Sequence, residues 1–83
     1  MVIRMHKIII DCSALSRDAL HRVLAEKLAF PNWYGNNLDA LYDCLTDLEE
    51  ETHLILQNLQ DDGFRLTVLE AALASASLTV TLE

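Results

Sequence analysis

The sequence predicts an α/β fold, a three-stranded parallel sheet packed with about three helices in the order β-α-α-β-α-β. Three observations predict it. Lys7-Ile8-Ile9-Ile10-Asp11 and His53-Leu54-Ile55-Leu56-Gln57-Asn58 are short apolar runs of strand length, and Leu78-Thr79-Val80-Thr81-Leu82 alternates apolar with polar. Between these runs, apolar residues recur every three or four positions, which is helical spacing. Strands separated by helical connections pair in parallel through right-handed crossovers. The chain of 83 residues makes a single domain, 1–83, and its hydrophobic content of 52% is enough for one core.

The elements follow in order. A short irregular start precedes the first strand, whose isoleucine run is apolar on both faces and is expected to be buried on both, as at the core of a parallel sheet. Ser13 or Ser16 can cap the helix that follows, with Asp18 in its first turn where the helix dipole favours it. Leu15, Ala19, Leu20, Val23, Leu24 and Leu28 make that helix amphipathic over roughly residues 15–28. Pro31 is expected to stop it, because the residue before a proline is pushed out of the helical region. Gly35, followed by Asn36 and Asn37, is where a positive φ is most easily accommodated. Asn37 is a good N-cap for a second helix, which places Asp39 in its first turn. On that helix Leu38, Leu41, Leu45 and Leu48 share one face, while Asp39, Asp43 and Asp47 run down the opposite one. Glu49-Glu50-Glu51 reads as a solvated link before the second strand. Asp61-Asp62-Gly63 reads as a turn in which either acid can cap a third helix, supported by Phe64, Leu66, Val68, Leu69, Ala72 and Leu73.

Charge narrows the function. The net charge is −7, and between Leu28 and Phe64 there are eight acidic residues and no Lys or Arg. One flank of the molecule is therefore negative, which disfavours direct binding of nucleic acid and favours a basic protein partner. No run approaches the roughly 20 apolar residues of a membrane span, and the first residues lack the pattern of a signal peptide. Cys12 and Cys44 have no metal-like spacing and read as free thiols in a reducing cytoplasm.

Catalytic constellations are weak. His6, His21 and His53 fall in three elements, none with an Asp or nucleophile beside it, and read as surface or strand-end residues. The carboxylates at i, i+4 and i+8 spread over about 12 Å of helix, too far to hold one ion. No phosphate loop, dinucleotide fingerprint or calcium loop is present. No enzyme, metal or cofactor is expected. The acid row itself calls for explanation, since Asp is a weak helix former and like charges four apart cost a few tenths of a kcal/mol per pair. Trp33 and Tyr34, adjacent in a turn, cannot both point inward easily. Tyr42 sits on the border between the leucine face and the acids. An acidic ridge flanked by aromatics is the composition of a protein-binding hot spot, and spaced carboxylates mimic a run of phosphates.

The stretch Pro31-x-Trp33-Tyr34-Gly35-x-Asn37-Leu38-Asp39-Ala40-Leu41-Tyr42-Asp43-Cys44-Leu45 closely resembles the signature of the barstar family, intracellular inhibitors of a secreted ribonuclease. The flanking order of strands and helices agrees as well, more weakly after about Gln60. The resemblance implies a two-layer α/β fold whose second helix and preceding loop enter a ribonuclease active site. It implies that Asp43 occupies the subsite of an RNA phosphate and that Asp39 pairs with another basic group of the cleft. Trp33, Gly35, Asn37, Leu38 and Tyr42 would complete the contact surface, and Glu70 on the third helix aligns with a further acidic contact. Three features depart from the pattern: Tyr42 and Leu48 replace tryptophans, one helix is missing between the last two strands, and Asp47 has no counterpart.

The sequence is thus expected to encode a cytoplasmic inhibitor, monomeric when free, of a basic, extracellular-type, guanyl-specific ribonuclease. It would have no nucleic-acid or membrane partner. The alternative is an adaptor or immunity-type module for another basic protein.

Overall fold

The computed structural model describes residues 5–83. Strand β1 (Met5–Asp11) is followed by helices α1 (Arg17–Lys27) and α2 (Leu38–Thr46), strand β2 (Glu51–Gln57), helix α3 (Asp62–Ala74) and strand β3 (Leu78–Leu82). The three strands form a parallel sheet in the order β1-β2-β3, with Ile8 opposite Leu54 and Leu54 opposite Val80. The element order and the parallel pairing are those the sequence predicts.

Side-chain alternation shows how the layers are built. Ile10 on β1, Thr52, Leu54 and Leu56 on β2, and Leu78 on β3 turn to one face, and all are buried. Leu20 and Leu24 of α1, Leu41 and Leu45 of α2, and Phe64, Val68 and Ala71 of α3 pack on that face as a single cluster. The other face is largely open. Lys7, Ile9 and Asp11 of β1 are exposed, with Ile9 at 53%, and only Ile55 at the centre is buried. This corrects the expectation that the isoleucine run is buried on both faces. β1 is an edge strand in a two-layer fold, so only alternate isoleucines reach the core. The strand also begins at Met5, ahead of the predicted Lys7, and the rest of the start, residues 1–4, lies outside the described residues.

Local chemistry accounts for the element ends. Ser16, not Ser13, caps α1, its hydroxyl accepting from the Ala19 amide at 3.1 Å. The end of α1 differs from the prediction. Ala29 takes a left-handed conformation at φ 53°, and the Phe30 amide reaches back to the Ala25 carbonyl at 2.9 Å. That is a Schellman-type turn, which satisfies the carbonyls the helix end leaves open, and Pro31 follows a helix already finished. Asn37 caps α2, accepting from the Ala40 amide at 2.8 Å, and Asp61 caps α3, accepting from the Phe64 amide at 2.9 Å. The Glu49–Glu51 link is shorter than predicted, because Glu51 already pairs with Met5 in the sheet.

Gly63 lies inside the first turn of α3. A Cβ there would come within 3.1 Å of the Leu38 side chain, so the glycine lets α3 close against the start of α2. These two helices frame the region where the acids gather.

Candidate functional site

The outer surface of α2 is acidic because its inner surface is fully committed. Leu41 and Leu45 are completely buried and Cys44 nearly so, which turns Asp39, Asp43 and Asp47 outward. The ion pairs among the described residues are His6–Glu50 and Arg17–Asp61, so none of these three carboxylates is neutralised within the described part of the chain. Unpaired surface carboxylates four residues apart repel one another and place a negative potential over this face.

Between α2 and α3 lies a groove of about 450 Å³ lined by Leu38, Asp39, Tyr42, Asp43, Thr67 and Glu70. Five of the predicted contact residues therefore meet around one hollow, with Glu70 arriving from the neighbouring helix. Three carboxylates and one phenol edge a space open to a partner. Thr67 was not singled out in the sequence. It stands three residues before Glu70 on the same side of α3, a spacing from which it could have been found. Its hydroxyl donates to the Gly63 carbonyl at 2.8 Å, so it shapes the wall more than it offers a polar contact.

The loop before α2 divides its aromatics. Trp33 is 65% exposed, whereas Tyr34 folds inward against Phe30, with ring centres 4.8 Å apart. Trp33 does not line the groove. It stands on the opposite flank of Asp43, in a second hollow bounded by Phe30, Asp47 and Leu48. Gly35 and Asn37 play supporting parts. The positive φ predicted for Gly35 belongs to Asn36, at 53°, a residue that tolerates the left-handed region because its short amide can bond locally. Gly35 instead leaves room beside the cap, since a Cβ there would lie 3.1 Å from the Asn37 side-chain nitrogen. Asn37 spends its side-chain oxygen on the helix.

His21 corrects the expectation of a surface histidine. It is fully buried, and its Nδ1 shares a hydrogen bond with the Tyr34 hydroxyl. Its ring centre lies 5.0 Å from that of Phe64, and its Nε2 has no hydrogen-bond partner among the described residues. Burial holds the imidazole below its ordinary pKa and pushes the Tyr34 phenol above its own. The pair is therefore neutral and ties the loop before α2 to α1. The signal was present in the sequence: Leu20, His21 and Leu24 share one helical face.

The remaining groups do not assemble into a reactive centre. His6 pairs with Glu50 at 2.8 Å and His53 with Thr81 at 2.7 Å, so each histidine has its own surroundings. Cys12 and Cys44 are buried, and desolvation, the main cause, pushes both thiols above the usual range. Neither is placed to act as a nucleophile. Among the described residues, no three His, Cys, Asp or Glu side chains gather as a metal ion would need. No helix among them is long and apolar enough to cross a membrane.

A three-stranded parallel sheet backed by three helices, with an acidic outer face on the second, defines a small α/β protein of two layers. The family model for Barstar (barnase inhibitor) matches residues 5–77, and the chain belongs to that family, whose members are inhibitors and not enzymes. One curated relative, named "Putative ribonuclease inhibitor YrdF", comes from Bacillus subtilis (strain 168). It is 47% identical over 58 residues, a match covering 68% of this chain and 64% of that protein. The match thus spans a little under two thirds of the relative's length.

Proposed function

We propose that the protein inhibits a basic ribonuclease of the barnase type by seating α2 and its preceding loop in the enzyme's phosphate-binding cleft. The observation that carries this reading is the convergence of Asp39, Asp43 and Glu70 around one groove, with no cation among the described residues paired to any of them. In such a cleft, arginines and lysines that bind RNA phosphates would meet carboxylates held at helical spacing. Asp43, at the centre of the acidic face and bordering both hollows, takes the principal phosphate position. Asp39 and Glu70 flank it, and Tyr42 supplies apolar area at the groove wall. The protein performs no chemistry. It occupies the site where substrate charge would lie.

This reading places the protein in the cytoplasm as a monomer when free. Family membership and the relative's name support a ribonuclease as the partner. The test is a titration of the protein into purified barnase with RNA cleavage as the readout. Inhibition is expected, and Asp43→Ala should weaken it by roughly 2 kcal/mol or more, the size of a hot-spot truncation. Inhibition that survives this substitution unchanged refutes the mechanism. Capture of a basic partner without nuclease activity, with no effect on RNA cleavage, would favour an adaptor instead.

A further inference from the structure

The hollow on the Trp33 side of Asp43 has a composition of its own. It encloses about 450 Å³ between the loop and the C-terminal half of α2, with Phe30, Trp33, Thr46, Leu48, Asp43 and Asp47 among its walls. Phe30 and Leu48 are partly buried against the core, so its floor is apolar. The Thr46 hydroxyl spends its proton on the carbonyls of Tyr42 and Asp43, at 2.9 and 3.2 Å, and brings no charge to the hollow. The hollow's outward charge is therefore that of Asp43 and Asp47, two exposed carboxylates one helical turn apart. Lys27 and His6 line an adjoining hollow with Asp47, and neither forms an ion pair with it.

Carboxylates alone would bind nothing specific. An exposed indole changes the chemistry. A planar cation can lie on the Trp33 face, run its aliphatic stem over Leu48 and Phe30, and direct its fork of N–H donors at a carboxylate. A guanidinium meets all three demands, whereas an ammonium is a strongly hydrated point charge that stacks less well. We propose that this hollow receives an arginine side chain of the target protein, stacked on Trp33 and paired with Asp47, and that Asp47 is a specificity-determining residue of the inhibitor. The inference rests on the reading above that the partner is basic, and it assigns to that partner a second anchoring arginine beyond the group held by Asp43. Complementary charge is what names the occupant. The stretch from Leu28 to Phe64 carries eight acids and no Lys or Arg, and Asp43 and Asp47 are not among the acids paired within the described residues.

Trp33 is the sole tryptophan of the chain, so its fluorescence reports on this hollow alone. The full-length protein is titrated with hexa-arginine and, in parallel, with hexalysine, while overall peptide binding is followed by calorimetry. Hexa-arginine should shift the Trp33 emission saturably and hexalysine markedly less. Asp47→Asn, an exposed change at the end of α2 whose fold is checked by circular dichroism, should weaken the arginine response about tenfold. An unmoved emission while the peptide binds, equal responses to the two peptides, or an unchanged Asp47→Asn titration each overturns the proposal. A second arm uses barnase. Asp47→Asn should speed dissociation about tenfold, and combining it with Trp33→Ala should add less than the two separate effects, because both hold one side chain. Strict additivity would overturn the shared contact. If the wild-type protein fails to inhibit barnase while the peptide arm succeeds, the hollow stands and the ribonuclease reading falls.

Discussion

Leu45 and Asp43 lie two residues apart on α2 and do opposite work. Leu45 is fully buried in the cluster that joins the helices to the sheet, while Asp43 is exposed between two hollows. The inner face of the helix packs the core and the outer face is left exposed, with few residues belonging to both. Leu38 and Tyr42 are the exceptions, partly buried against the core and still lining the groove. Such separation lets a short helix carry a row of mutually repelling carboxylates without weakening the packing beneath them. The repulsion amounts to a few tenths of a kcal/mol per pair, against several for a buried leucine.

That contrast can be broken most forcefully from the inside. Leu45→Ala should lower unfolding free energy by about 2–5 kcal/mol in urea titrations, through lost burial and the cavity left behind. Asp43→Ala, measured in the same way, should leave stability unchanged or slightly raised while inhibition collapses. If both substitutions moved stability alike, the two faces would not be independent.

The second test addresses the joint behind the helix, where His21 holds Tyr34 of the loop before α2. The folded protein keeps this imidazole neutral because burial opposes its charge. An unfolded chain titrates it near pH 6.5. Below that pH the unfolded state takes up a proton the folded state refuses, so stability falls as pH falls. The loss reaches up to about 1.4 kcal/mol per pH unit until the lower folded value is passed. Unfolding midpoints measured from pH 7 to 5 should show this slope, and His21→Gln should flatten it. Asp61 adds a separate loss at lower pH. The Phe64 amide, above all, and Arg17 hold its carboxyl below the ordinary 3.8, and that stability disappears as the group protonates.

The smallest effect sharpens the comparison at the loop's entrance. Ala29 sits in a left-handed conformation that favours glycine. Ala29→Gly should stabilise the protein by about 0.5–1 kcal/mol, seen as a modest rise in melting temperature, with inhibition unaltered.

Much of this was legible in the sequence. Leucines against aspartates on the second helix fixed its two faces, and Asn37 announced where it begins. The motif from Pro31 to Leu45 pointed to the family and to Asp39 and Asp43. The errors share a cause: they concern residues whose role depends on neighbours far away in the chain. The isoleucines of β1 read as doubly buried because nothing local says that the strand lies at a sheet edge. His21 read as a surface residue because its partner, Tyr34, arrives from a loop 13 positions later. Asn36 took the positive φ assigned to Gly35, because two neighbouring residues could each adopt it and only the assembled turn selects one. Trp33 was grouped with the acids, and only the fold shows that it stands across Asp43 from the groove.

Gly63 lines neither hollow beside Asp43, yet it sits where α3 approaches α2. The Leu38 side chain occupies the space its missing methyl leaves. Glu70 rides on the helix whose first turn holds Gly63, and Asp39 follows directly on Leu38. The span between these two carboxylates is thus adjustable from a position outside the contact surface. A larger residue at 63 would make the Leu38 side chain give way by a few tenths of an ångström or set the two helices further apart, changing that span from a distance.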